Sequence, residues 1–341
     1  MRYSFLDLLA CPMTGEKLSP VAVREIAAPI PEPYCPNPIS GDAEKNRAVE
    51  IDAGILTTPG DNWYPIINGI PEILPDRLRD WNRDLDFARS IGALTPGMES
   101  RARVADRSVQ IGDGNKVAEI TLLEKVENKE AFLGPGRLSP FNPYAFHHSS
   151  ELIRGFSCCI PFMKLQLGSV VIDSGSGYSW TTEWFMKMGI RAVGVEINRT
   201  YLETGLQRMG VNSPELVIAD AENLPFISDI FDAGLGFDAF HHIPNRERAM
   251  EEFARVLKTS GTITLVEPGE AHEHDPLAVE VMAKYGTLER GMNLDDVCSY
   301  VVGLPFDKPR EHFLLPVESG QSVPELSRDF IGWSLFTIDR Q

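Results

Sequence analysis

The chain has 341 residues with 32 basic and 49 acidic side chains, a formal net charge of −17. Phosphate binding needs clustered Lys and Arg, so this balance argues against nucleic acid as the main partner, and no run approaches the roughly 20 apolar residues that span a bilayer. Apolar residues make up 43% and charged residues 24%, an ordinary globular composition, and a chain of this length predicts two folded units rather than one core.

The opening stretch, MRYSFLDLLACP, lacks a basic segment followed by a long apolar run and a small-residue cleavage site. No export signal is expected there, and a cytoplasmic location is. Five cysteines, Cys11, Cys35, Cys158, Cys159 and Cys298, are few, odd in number and not spaced as a disulfide framework, which points to reduced thiols. Residues 1–76 are strand-like runs broken by Pro and Gly, ending in YPIINGIPEILPD, and predict a small β-rich unit. Residues 77–156 show helical periodicity at Leu78, Trp81, Leu85 and Phe87, then LGPGRLSPFNPYAFHHSS, whose prolines and glycines forbid long regular structure. A connector and lid is expected. Within it RLRDWNRDLDFARS, the most basic stretch, is offset by its own aspartates and reads as a solvated helix face. In residues 157–341, VVIDSGSG, AVGVEIN, LVIAD, AGLGFD and TITLVEP alternate with amphipathic stretches such as RERAMEEFARVLKT. This alternation predicts an α/β fold, a doubly wound parallel sheet with helices on both faces.

In such a sheet, ligands sit beyond the carboxyl ends of the strands, where the strand order reverses. The first strand runs into VIDSGSGYSW, supplying Asp173, Gly175 and Gly177. A dinucleotide fingerprint needs a third glycine where Trp180 stands, and a phosphate-binding P-loop needs a Lys followed by Ser or Thr; neither is present. The second strand ends in Glu196, a carboxylate able to accept both hydroxyls of a ribose, and the third in Asp220, followed by Ala221 and Glu222. Acids at three successive strand ends point to a neutral or cationic ligand with a diol. S-adenosylmethionine meets that description.

Together DSGSGYS, GVEIN, ADAENLPF and FDAGLGFDAFHHIPNRERAMEEFARVLKTSGTITLVEPG resemble the ordered motifs of class I S-adenosylmethionine-dependent methyltransferases, closest to the type 11 group that includes the quinone-biosynthesis enzymes. The resemblance covers roughly Val170 to Gly269. It implies a Rossmann-like sheet and S-adenosylmethionine as cofactor, with Asp173, Gly175 and Gly177 along the methionine moiety. By the same resemblance Glu196 meets the ribose, Asp220 and Ala221 the adenine, and Asp238 joins the cofactor-binding set. The family usually has a third glycine where this chain has Ser179, so a shifted loop is expected there. LLACPMTGEKL and YPIINGIPEIL resemble the zinc-ribbon-derived domain that activates certain RNA and protein methyltransferases. The paired cysteines of that family are missing: Cys11 is matched with Thr14, and Thr57 and Gly60 stand at the second pair. No metal is expected.

Methyl transfer from a sulfonium is an in-line displacement that often needs a base. Past the fourth and fifth strands lie Asp238, His241 and His242 in FDAFHH, and Glu267, His272 and His274 in EPGEAHEH. Histidine suits base work near neutrality, so His241 or His242 is the leading base and Glu267 the alternative. His147 and His148 read as lid or structural residues, and Cys158 and Cys159 as buried core. The acidic balance favours a neutral hydroxyl-rich or cationic acceptor of small or medium size, through O-methylation of a sugar, glycan or hydroxylated metabolite. The EPG…YGTLE stretch also resembles methyltransferases that accompany bacterial polysaccharide and glycoconjugate synthesis. Two alternatives stay open: an RNA acceptor, or a scaffold that binds the cofactor without turnover.

Overall fold

The computed structural model describes residues 1–27, 49–143, 145–209, 214–314 and 333–341; Cys35 lies outside them. The first sheet is antiparallel in chain order: β1 (Ser19–Ala27), β2 (Val49–Thr57), β3 (Trp63–Ile67) and β4 (Ile70–Pro71). Asn68 and Gly69, at φ of 53° and 75°, form the two-residue turn between β3 and β4, a dipeptide suited to the twist of a hairpin.

This sheet does not stand apart from the rest of the chain. Phe5, Leu9, Ile51 and Ile66 share one buried cluster with Val193, Val217, Phe226 and Phe231. The Ala10 N–H donates to the Pro225 carbonyl at 2.9 Å, and the Ile73 N–H to the Ile218 carbonyl at 2.8 Å. The sequence boundary near residue 76 is therefore not a break in packing. Cys11 is buried, with Sγ 3.2 Å from the Tyr64 hydroxyl.

The second sheet holds β5 (Val170–Ser174), β6 (Arg191–Glu196), β7 (Glu215–Ile218), β8 (Phe231–Phe237), β9 (Leu257–Pro268), β10 (Arg310–Leu314) and β11 (Trp333–Asp339). The order is β10-β11-β9-β8-β5-β6-β7. Strands β5 to β9 pair in parallel, β11 runs antiparallel to β9, and β10 antiparallel to β11. β5 is buried along its whole length, as a central parallel strand covered on both faces must be. The chain winds outward from β5 to β7, then restarts at β8 on the other side of β5, so the reversal point lies between β5 and β8. Edge strand β7 is covered by the first sheet, since Glu72 bridges to Ile218 in parallel, which removes an exposed edge. Among the described residues no helix is long and apolar enough to cross a membrane.

Two sequence expectations need correction. The amphipathic stretch RERAMEEFARVLKT ends as a helix at Val256, and Leu257 already opens β9; β-branched Thr259 and the positive φ of Ser260 (67°) suit an extended, turning backbone better than another helical turn. The basic stretch is not a solvated face throughout: the Arg79 guanidinium is buried, 3.8 Å from the Trp81 ring centre and 2.8 Å from Asp84. Arginine tolerates this burial because its planar head can stack and form an ion pair together.

Candidate functional site

Beyond the carboxyl ends of β5, β6, β7 and β8 lies a cavity of about 320 Å³ lined by Gly175, Gly177, Glu196, Asp220, Ala221, Asp238 and His242, among others. β5 delivers Asp173, whose Oδ2 accepts the Thr181 and Thr182 hydroxyls at 2.6 and 2.5 Å. Its Oδ1 is buried without a hydrogen-bond partner, and burial pushes the carboxyl up to about 6 despite the two hydroxyls. Gly175 adopts φ +72°, and a Cβ there would lie 2.4 Å from the Cβ of Ala239; at Gly177 (φ +50°) a Cβ would meet nothing within 4 Å. The first glycine lets two loops approach closely, and the second leaves open space above the loop. Ser179 takes φ 57°, ψ 31° ahead of the helix Trp180–Lys187, with its N–H bonded to the Ser176 carbonyl at 2.6 Å. Glycine adopts this left-handed conformation without penalty; serine accepts a strain of roughly 1–2 kcal/mol.

Glu196 ties this loop to the end of β6. Its Oε2 accepts the Gly177 N–H at 2.9 Å, and its Oε1 the N–H groups of Ile197 and Asn198 at 2.8 and 2.9 Å. A carboxylate has about four acceptor positions, so with three backbone donors in place one position remains for a ligand hydroxyl in the cavity. Asp220 is held by the Glu222 N–H at 3.1 Å and by Lys116 Nζ at 2.8 Å. The same ammonium reaches Glu222 at 2.6 Å, and its side chain is 3% exposed. Lys116 sits on the helix Asp113–Ile120 and was not found from sequence, because one Lys in an amphipathic run looks like a solvated position. Glu119 of the same helix also lines the cavity; burial, reinforced by Glu196 and Glu289, pushes its carboxyl up to about 8.

The opposite wall begins at Asp238, which follows β8 with φ 52° and faces the cavity. Glu267, at the end of β9, is 0% exposed and is not on the cavity wall. It accepts the N–H groups of Ala239, Phe240 and His241 at 3.2, 2.8 and 3.2 Å, and its Oε2 is 2.7 Å from His241 Nδ1. His241 is buried too, with Nε2 3.5 Å from Glu289 Oε2. Burial opposes a charge on this ring, yet the bonds to Glu267 and Glu289 outweigh it and raise its pKa to about 10. Reading either His241 or Glu267 as the general base is thus corrected on geometry: neither lines the cavity, and four donors fill the carboxylate.

His242 differs. It lines the cavity, and its Nδ1 lies 2.5 Å from the Leu288 carbonyl, so Nδ1 carries the hydrogen and Nε2 keeps a lone pair. Enclosure and the neighbouring His241 charge push its pKa down to about 4. Glu289 also lines the cavity and escaped the sequence reading; its Oε2 is 3.0 Å from His272 Nε2. Burial works against its charge, but hydrogen bonds from His241 and His272 bring its carboxyl to about 2. His274 is 80% exposed and outside this cluster. His147 pairs with Glu151 at 3.5 Å on the helix Phe146–Cys159. Cys159 is buried and Cys158 partly so.

The donor set fits S-adenosylmethionine. Gly177 leaves room beside the loop, Glu196 stands at the end of its strand on the cavity wall, and among the described residues the wall holds no Arg and one Lys, which is taken by two acids; Asp173 lies beneath the loop and off that wall.

Residues 172–265 match the family described as Methyltransferase domain. Methyltransferase GfsG from Streptomyces halstedii is 27% identical over 143 residues, covering 40% of this chain and 51% of that protein. Sarcosine/dimethylglycine N-methyltransferase from Halorhodospira halochloris is 31% identical over 118 residues, covering 33% and 42%. The mitochondrial 2-methoxy-6-polyprenyl-1,4-benzoquinol methylase of Xenopus laevis is 35% identical over 102 residues, covering 29% and 32%. The chain thus spans about half or less of the length of these relatives. A solved structure, Haemonchus contortus phosphoethanolamine N-methyltransferase 2 in complex with S-adenosyl-L-methionine, aligns at 15% identity with a TM-score of 0.48, covering 69% of this chain and 61% of that one. The matched segment is thus similar to methyltransferase domains over the strands that line the cavity.

Proposed function

We propose that the whole chain is an S-adenosylmethionine-dependent methyltransferase that O-methylates a small or medium-sized hydroxylated acceptor, such as a sugar or glycan, with His242 as the base. One observation carries this reading. A single cavity has Gly177, Glu196 and Asp220 at the strand ends on one side, and on the other a histidine whose Nε2 is left unprotonated.

On this reading the loop of Gly175 and Gly177, with Asp173 beneath it, takes the methionine end, Glu196 the ribose, and Asp220 with Ala221 the adenine, while Lys116 compensates the charge of Asp220. When bound, S-adenosylmethionine supplies a methyl carbon on a sulfonium, whose S–C bonding pair returns to sulfur as the acceptor oxygen bonds to that carbon. The hydroxyl proton passes to Nε2 of His242, the ring nitrogen that the Leu288 carbonyl leaves as acceptor, as the oxygen gains its bond to carbon. Holding both partners in one enclosed space supplies the alignment an in-line displacement requires.

The acceptor class follows from the lining. Glu119, Glu196, Asp220, Asp238 and Glu289 outnumber Lys116, and Phe132, Val281 and Tyr285 add apolar surface, so a phosphorylated acceptor is disfavoured. The sarcosine/dimethylglycine and benzoquinol relatives carry small-molecule acceptors in their names, which supports a small acceptor here. Calorimetry with S-adenosylmethionine, S-adenosylhomocysteine and NAD tests the cofactor assignment: the first two bind and NAD does not. Binding of NAD alone would overturn it. A metabolite and glycan panel, scored by release of S-adenosylhomocysteine, tests the acceptor class, and methylation of RNA in place of any hydroxylated small molecule would remove it.

A further inference from the structure

We propose that His241, His272 and Glu289 form a binding site for one divalent transition-metal ion at the edge of the cavity. Their ligand atoms all lie within 4.8 Å of one another. Glu289 Oε2 stands 3.0 Å from His272 Nε2 and 3.5 Å from His241 Nε2. Around a tetrahedral ion with bonds of about 2.1 Å, neighbouring ligand atoms sit roughly 3.4 Å apart; Glu289 already stands near that distance from both rings, and the two imidazole nitrogens, within 4.8 Å of each other, must draw together to share one ion.

A second observation is independent of these distances. A metal-bound imidazole characteristically gives its other N–H to a carboxylate that fixes the ring. His241 has that arrangement: Nδ1 lies 2.7 Å from Glu267 Oε2, and Glu267 is itself held by three backbone N–H groups.

The donor set selects the ion. Two imidazole nitrogens, each releasing to solvent the proton it gives Glu289 when the ion binds, and one carboxylate suit zinc, ferrous iron or a similar ion, while magnesium and calcium prefer all-oxygen shells. Three protein ligands leave a position open, as catalytic zinc sites do, and Glu289 borders the cavity. An oxygen of the acceptor would occupy that position; this role rests on the methyl-transfer reading, whereas the ion site rests on geometry alone. The ligands come from three segments spaced 31 and 17 residues apart, a spacing that matches no familiar metal motif.

The test uses full-length protein stripped with a chelator and titrated with Co²⁺, followed by visible d–d absorption and by Zn²⁺ competition. One equivalent of Co²⁺ binds and Zn²⁺ displaces it. His272→Ala abolishes that stoichiometric binding, Glu267→Gln weakens it by about 10–100-fold, and exposed His274→Ala leaves it unchanged. S-adenosylhomocysteine affinity, measured on the same samples, stays intact in His272→Ala and shows that the cofactor end is folded. If His272→Ala loses its native circular dichroism, Glu289→Gln carries the same comparison. No saturable binding of Co²⁺ or Zn²⁺, or undiminished binding in the folded variant, overturns the site. Ion binding without methyl transfer to any acceptor leaves the site standing and removes only the function assigned to it.

Discussion

At the end of the cavity made by β5, β6 and β7, Glu196 and Asp220 are tied to backbone N–H groups or to Lys116. At the end made by β8 and residues 285–289, by contrast, ionisable side chains face one another: His241 between two carboxylates, His242 beside a charged ring, Glu289 against His272. Acids fixed by backbone donors keep their orientation without help from a ligand, which makes that end a preorganised holder. Where charged groups determine one another's protonation, each one's state depends on its neighbours, and chemistry rather than holding is the use such coupling serves.

The largest effect that would sharpen this contrast is at the coupled end. His242→Ala should lower turnover on an identified acceptor by about 10²–10⁴-fold with S-adenosylhomocysteine affinity nearly unchanged. Steady-state kinetics with calorimetry separates the two, and full turnover would move the base elsewhere. At the holding end, Lys116→Met leaves Glu222 buried without its cation and Asp220 with only the Arg77 guanidinium at 3.7 Å as a cation, a loss of about 3–5 kcal/mol. It should appear as a lower urea midpoint at unchanged slope; a loss below about 1 kcal/mol would show that the pair does not stabilise the cavity floor. Glu196→Ala should weaken S-adenosylhomocysteine binding by roughly 1–3 kcal/mol, and unchanged affinity in calorimetry would end the ribose assignment. Smallest is Ser179→Gly: relief of the left-handed serine is offset by the added freedom of glycine in the unfolded chain, so stability shifts by less than about 1 kcal/mol. A loss of cofactor affinity in that variant would mean that the Ser176–Ser179 hydroxyl contact at 3.3 Å holds the loop.

The same contrast explains what could be read from the sequence. Parallel strands β5 to β9 are legible because buried strands are unbroken apolar runs, and the acids ending three of them fall in consecutive motifs. Lys116, Glu119 and Glu289 reach the cavity from segments before and after those motifs, and nothing local distinguishes them from surface charges. His241 and His242 are adjacent and looked interchangeable. The pairing of one with Glu267 and of the other with the Leu288 carbonyl depends on contacts 26 and 46 residues away, which no periodicity encodes. The shared core of the first sheet with β6 and β7 was likewise hidden, since composition shows that residues are apolar but not which surface they cover.

The central claim is that both ends of this cavity serve one reaction. The most direct measurement incubates the protein with S-adenosylmethionine and a panel of hydroxylated metabolites and glycans, following S-adenosylhomocysteine and the mass of each acceptor. At least one acceptor should gain a methyl group in step with S-adenosylhomocysteine, and His242→Ala should suppress both. Tight S-adenosylmethionine binding with no acceptor-dependent S-adenosylhomocysteine from any hydroxylated compound would contradict it.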